Sequence, residues 1–185
     1  IFSFTPSKPM TTGEGGMIVT DDEGLDAACR LHRNFGDTDR FRWDVLGFNF
    51  RMPEVMGAIG CHQLEKLPES VAQRRRIAAR YTELLAEDPA ILPPQYRQLE
   101  DINFQLYTLR LDLHQLRITR DLVIAQMAER GISTRLYYPS LHRQKVFAQF
   151  GPFADADYPN AVAFAASALS LPIFPTLREE EQEYV

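Results

Sequence analysis

The chain has 185 residues, of which 45% are hydrophobic and 24% charged, and a formal net charge of -5, a globular composition that excludes a disordered polyelectrolyte. The acidic balance, interrupted only by Arg74-Arg75-Arg76, argues against nucleic acid as a partner, and no apolar run reaches the roughly 20 residues that span a bilayer, so no membrane partner is expected. Cys29 and Cys61 have no CxxC or HxxxH companions, which excludes a disulfide framework and a conventional zinc site and fits a reducing, cytoplasmic compartment; no metal is expected.

Ile1-Phe2-Ser3-Phe4 has neither an initiator Met nor a charged n-region, so it reads as the middle of a strand rather than a signal peptide, and the chain is expected to begin inside a larger protein. A polar, Pro-punctuated loop follows from Thr5 to Gly16. Met17-Ile18-Val19-Thr20 predicts a buried strand. Leu25, Ala28, Cys29 and His32 fall on one helix face, where Cys29 and His32 are packing residues. The Gly36 to Asp39 loop leads to an aromatic stretch holding Phe41, Trp43, Phe48 and Phe50. Pro53 and Glu54 open a helix striped by Met52, Val55, Met56, Ile59, Leu64 and Leu67, which Pro68 interrupts, and a domain boundary is placed there. A second helix carries Ile77, Tyr81, Leu84 and Leu85 and stops before Pro89, with Arg74-Arg75-Arg76 as a solvated face. Phe104 to Leu111 reads as a strand. Thr119 caps a helix through Met127 that Gly131 stops, Ile132 to Tyr138 reads as a strand, and Val162, Ala165, Ala166 and Leu169 mark a last helix. This order predicts a small α+β domain.

Lys8 is the first candidate for chemistry, because a desolvated, electropositive pocket turns a lysine amine into a nucleophile or Schiff-base former. Taken alone it is an ordinary loop lysine, and Gly13-Glu14-Gly15-Gly16 supports only a tight turn, since no Lys-Ser or Lys-Thr follows it. The combination says more. Ser3-Phe4-Thr5-Pro6-Ser7-Lys8, then Thr12-Gly13-Glu14-Gly15-Gly16 and an apolar segment, resembles the lysine segment of the DegT/DnrJ/EryC1/StrS family of pyridoxal-phosphate sugar aminotransferases. Gly47-Phe48-Asn49-Phe50-Arg51-Met52 with Gln63 to Leu67 resembles the family's next motif, and Arg75 to Tyr81 its domain-connecting helix. Tyr138-Pro139 with His142, and Leu169-Ser170-Leu171-Pro172 with Phe174-Pro175, resemble its C-terminal signatures.

The resemblance implies an α/β fold, the C-terminal half of a fold type I aminotransferase: residues 1–67 as the end of the large cofactor-binding domain and 68–185 as a small α+β C-terminal domain. It implies that Lys8 is the catalytic residue, carrying pyridoxal phosphate as a Schiff base and then moving the substrate proton. Ser3, Asn49 and Arg51 are implied to bind the cofactor, the last two reaching a neighbouring subunit's site in a homodimer, and His142 to lie beside the substrate. The implied reaction moves an amino group, from glutamate, onto a nucleotide-linked keto-sugar in polysaccharide or antibiotic sugar biosynthesis. Relatives that act as dehydratases carry histidine at the lysine position, so Lys8 favours transamination. The resemblance implies that the cofactor contacts supplied before the lysine lie outside this chain. The alternative expectation is a non-catalytic fragment that folds or dimerises and cannot bind the cofactor alone.

Overall fold

The computed structural model describes residues 1–185, which form two compact units, Ile1–Pro68 and Glu69–Val185.

In the first unit, β1 (Phe2–Ser3) pairs antiparallel with β2 (Gly16–Met17), Phe2 lying opposite Met17. The strand expected over Met17 to Thr20 is therefore shorter and not buried: Ile18 and Val19 are 51% and 64% exposed. Helix α1 (Glu23–Arg33) starts where the Asp22 carboxylate accepts the Leu25 N–H at 2.9 Å, satisfying a donor that has no partner within the helix. A hairpin of β3 (Asp37–Asp39) and β4 (Arg42–Trp43) follows. Asp-Thr-Asp has little intrinsic strand preference, so the pairing comes from its turn rather than from any pattern in the sequence.

Helix α2 (Glu54–Leu84) runs unbroken through Pro68, contrary to the expected interruption. A proline removes one backbone hydrogen bond and crowds the carbonyl four residues earlier, here that of Leu64. An exposed proline in a 31-residue helix keeps intact turns on both sides, and they carry that local cost.

The second unit is built on a sheet ordered β5 (Ile91–Leu92), β6 (Tyr107–Leu111), β7 (Ala168–Leu171), antiparallel throughout, with Tyr107 opposite Leu171. Four helices join it: α3 (Leu113–Leu116), α4 (Arg120–Glu129), α5 (Pro159–Ser167) and α6 (Glu179–Tyr184). Ile77, Ala78 and Tyr81 of α2 pack with Phe104, Tyr107, Leu109, Leu111, Leu169 and Leu171 in one core. The two buried tyrosines satisfy their hydroxyls: Tyr81 donates to the Pro172 carbonyl at 3.0 Å, and Tyr107 shares a 2.9 Å hydrogen bond with Thr82. Burial pushes the Tyr81 phenol up to about 12, and Tyr107 upward as well.

Three expectations need correction here. Leu169 belongs to β7, not to the preceding helix; all of Ala168–Leu171 is buried, and a strand covered on both faces shows no alternation to read. Ile132 to Tyr138 contributes only an isolated bridge, Arg135 to Ser170. The triple arginine is not simply a solvated face. Arg74 is buried and donates to the Phe104 and Ile173 carbonyls at 3.1 and 2.9 Å, its pKa lowered by burial, while Arg75 bonds the Ile102 and Glu100 carbonyls.

Candidate active site

The loop between β1 and β2 is closed by its own backbone. Phe4 donates its N–H to the Gly15 carbonyl at 2.9 Å, while its carbonyl accepts the Thr12 N–H at 3.1 Å and the Thr11 hydroxyl at 2.9 Å. The Thr12 hydroxyl donates to the Glu14 carbonyl at 2.6 Å, and Gly15 takes a φ of 131° that a side chain would not tolerate. Gly60 of α2 is buried, and a Cβ there would stand 3.0 Å from the Thr12 methyl, so the loop rests on the helix where the helix lacks a side chain.

Lys8 sits inside this loop, half-buried, its N–H bonded to the Thr5 carbonyl at 3.0 Å. None of the ion pairs in the structure involves its amine. Ser3, exposed at the end of β1, shares a 3.3 Å contact with the Thr5 hydroxyl. Ser3 therefore stands at the base of the loop that carries Lys8.

Asn49 and Arg51 form a second group. Arg51 Nε donates to Asn49 Oδ1 at 3.1 Å, and its NH1 to Asn34 Oδ1 at 3.3 Å; its guanidinium carbon lies 5.2 Å from the Phe35 ring centre. Asn34 and Phe35 were not legible as site residues. The turn tripeptide Asn34-Phe35-Gly36 at the end of α1 was the only signal, and it does not announce a side-chain role.

His142 belongs to the second unit. Its side chain is 7% exposed, Nε2 lies 2.9 Å from Asp155 Oδ1, and the ring stacks on Tyr158 at 4.7 Å. Arg143 grips the same carboxylate through Nε and NH2. These hydrogen bonds hold the Asp155 carboxyl well below the usual carboxylate range. The imidazole that sequence placed beside a substrate is thus already engaged with a neighbour thirteen residues away.

The structure brings Ser3 to the Lys8 loop and Asn49 to Arg51. The "pleiotropic regulatory protein" of Geobacillus stearothermophilus is 39% identical over 189 residues, covering 100% of this chain and 49% of its own length. GDP-perosamine synthase of Caulobacter vibrioides is 36% identical over 187 residues, with 100% and 49% covered. Among solved structures, S. venezuelae DesV in complex with a ketimine intermediate superposes with a TM-score of 0.88 at 31% identity, over 99% of this chain and 48% of its own. The chain spans about half the length of the curated relatives it matches. A family model matches residues 1–185 without remainder, taking in the Lys8 loop, the Asn49–Arg51 segment and the core sheet alike. The chain belongs to the DegT/DnrJ/EryC1/StrS aminotransferase family.

Proposed function

We propose that this chain is the C-terminal half of a pyridoxal-phosphate aminotransferase that moves an amino group from glutamate to a nucleotide-linked keto-sugar. Residues 1–67 complete its large domain and residues 68–185 form its small C-terminal domain. The observation that carries this reading is Lys8: a half-buried residue in a backbone-closed glycine loop, with no carboxylate paired to its amine.

The residues present fit the cofactor by their chemistry. A free amine suits its aldehyde, and a hydroxyl, a carboxamide and a guanidinium with unspent N–H groups suit its phosphate. When bound, pyridoxal phosphate supplies the electron sink that lets an amino group and a proton leave the substrate carbon. Lys8 would hold the cofactor through Nζ, and its amine would take and return the proton at that carbon. The ties from Phe4 to Thr12 and Gly15 fix the loop from which Lys8 reaches, so orientation is set before substrate arrives. Ser3 would donate its hydroxyl to the phosphate, and Asn49 and Arg51 would supply N–H donors from the neighbouring subunit of a homodimer. His142, enclosed and with Nε2 on Asp155, has only its Nδ1 edge left for the substrate side.

Lys8→Ala in the full-length protein tests the assignment. Turnover is expected to fall about a thousandfold or more with the circular dichroism unchanged, because one amine loses both its tasks. The visible absorption that borohydride bleaches should vanish with it. A variant retaining more than a few per cent of turnover would sink the assignment. Mixing Lys8→Ala with Arg51→Ala subunits tests the shared site: one working site per heterodimer is expected, and no recovery despite subunit exchange would place Arg51 elsewhere.

A second reading, a fragment that folds without binding the cofactor, is favoured by one observation: the core cluster lies wholly within the second unit. Mixing the 185-residue chain with pyridoxal phosphate separates the two, since that reading expects no borohydride-sensitive band.

A further inference from the structure

Asn34 and Asn49 face each other in an isolated antiparallel bridge, flanked by the Phe35 N–H donating to the Phe48 carbonyl at 2.9 Å and the Phe50 N–H to the Arg33 carbonyl at 3.0 Å. Opposed residues of antiparallel segments share a face, and Arg51, two residues beyond Asn49, returns to it. Simple alternation would send Phe35 to the other side. Its φ of 63° breaks the alternation, and the ring ends up against the Arg51 guanidinium. Gly36 follows at φ 71°, where a Cβ would collide with the Val45 carbonyl, so the turn that aims Phe35 is closely confined.

A guanidinium has five N–H donors. Asn49 and Asn34 take one each, both through neutral amide oxygens, and the remaining N–H groups on NH1 and NH2 have no acceptor in the structure. Arg30, Arg42, Arg143 and Arg178 each rest on a carboxylate that cancels their charge. Arg51 is held just as definitely and keeps its charge whole.

We propose that Asn34 and Phe35 are positioning residues that hold Arg51 so that its free N–H groups meet an oxyanion, either the phosphate of the cofactor or an anionic group of a substrate. This rests on the reading of Arg51 as a contact for cofactor or substrate. Neutral acceptors and a ring face restrict the side chain without competing for its charge, whereas a carboxylate in either place would spend it.

The test uses the full-length protein and two arms. Titrating the apoprotein with pyridoxal phosphate and with pyridoxal reads the phosphate contact as a preference ratio; steady-state kinetics with glutamate and the keto-sugar reads substrate anions as KM. Arg51→Ala identifies the responsive arm, with a loss of about thirtyfold expected. Asn34→Ala and Phe35→Gly should each weaken that same arm roughly three- to tenfold with kcat within about twofold. Asn34→Ala should add nothing when Arg51 is already alanine. Phe35→Gly guards against misfolding, because glycine adopts φ 63° without strain, so thermal stability should hold while the ring is lost. Asn34→Asp keeps the acceptor but adds a charge, and should weaken anion binding at undiminished stability, which a purely structural Asn34 would not show. Unchanged binding in Asn34→Ala and Phe35→Gly, or an Asn34→Ala effect that persists without Arg51, overturns the positioning role and leaves the Arg51 reading standing. An Arg51→Ala variant that moves neither arm overturns both.

Discussion

The two units of this chain are ordered by different physics. In the second, side chains from Ile77 to Leu171 converge on one buried cluster, with Tyr107 and Ala78 fully enclosed. In the first, Phe4 is the one large apolar side chain that is buried, and α1 buries no residue at all. Phe2, Trp43, Leu46 and Phe50 stand 58%, 62%, 81% and 70% exposed. Apolar burial contributes about 25 cal/mol per Å², so the second unit draws its stability from its core. The first holds its shape through turn hydrogen bonds, glycines and left-handed residues such as Phe35. The candidate site residues Lys8, Asn49 and Arg51 lie in the unit whose geometry is set by backbone rather than by packing. Its exposed aromatics form an apolar surface that the rest of the proposed large domain and the proposed partner subunit would cover between them.

The largest effect expected from this contrast lies in the second unit. Leu169→Ala should cost about 3–5 kcal/mol in denaturant unfolding, since the site is enclosed and leaves a cavity. Trp43→Ala should cost under about 1 kcal/mol in the same chain, because its ring already meets solvent. Equal costs would break the comparison. Next comes Arg74→Met, expected to lose about 2–3 kcal/mol: the methionine fills the space but leaves the Phe104 and Ile173 carbonyls without their donor. Gly36→Ala sharpens the contrast from the other side. Its collision with Val45 should cost roughly 1–3 kcal/mol, and hydrogen exchange should quicken at Asp44, whose N–H donates to the Gly36 carbonyl, while β6 and β7 stay protected. Loss of protection in β6 and β7 would show that the two units do not unfold separately.

The smallest effect is the pH dependence of the Asp155 clasp. The hydrogen bonds from Arg143 and His142 lower the carboxyl's pKa, so the folded state binds its proton less readily than the unfolded chain. The resulting stability is present above the ordinary carboxylate pKa near 3.8 and is lost as pH falls through the lower folded value. Asp155→Asn should therefore flatten the acid limb of the stability profile by lowering stability modestly at neutral pH, with little change at the acid end where the carboxyl is already protonated. An acid limb identical to that of the unmodified chain would show that the clasp carries no folding energy.

Local chemistry was readable where it needed only neighbours. Thr119 accepting the Leu122 N–H at 3.2 Å, with Gly131 at φ 78° beyond the helix end, is the start and stop that the sequence predicts. Pro53 and Glu54 likewise mark the entry to α2. Lys8 stood out through the order of glycines and hydroxyls around it, and it lies in a closed loop. Pro68 misled because its penalty is local while the helix is cooperative over both flanks.

By itself, then, the sequence determined the starts of α2 and α4 and the glycine turn of the loop that carries Lys8, because these depend on spacings of a few residues along one backbone. The tertiary structure alone decided the rest. Arg74 meets the Ile173 carbonyl 99 residues away, Arg51 meets Asn34 at a separation of 17, and Ser170 pairs with Thr108 at 62. Whether an arginine is solvated, buried or held for an anion depends on which acceptors folding delivers to it. No periodicity along the chain records that choice, because the free energy that makes it comes from burial and desolvation between segments that are strangers in sequence.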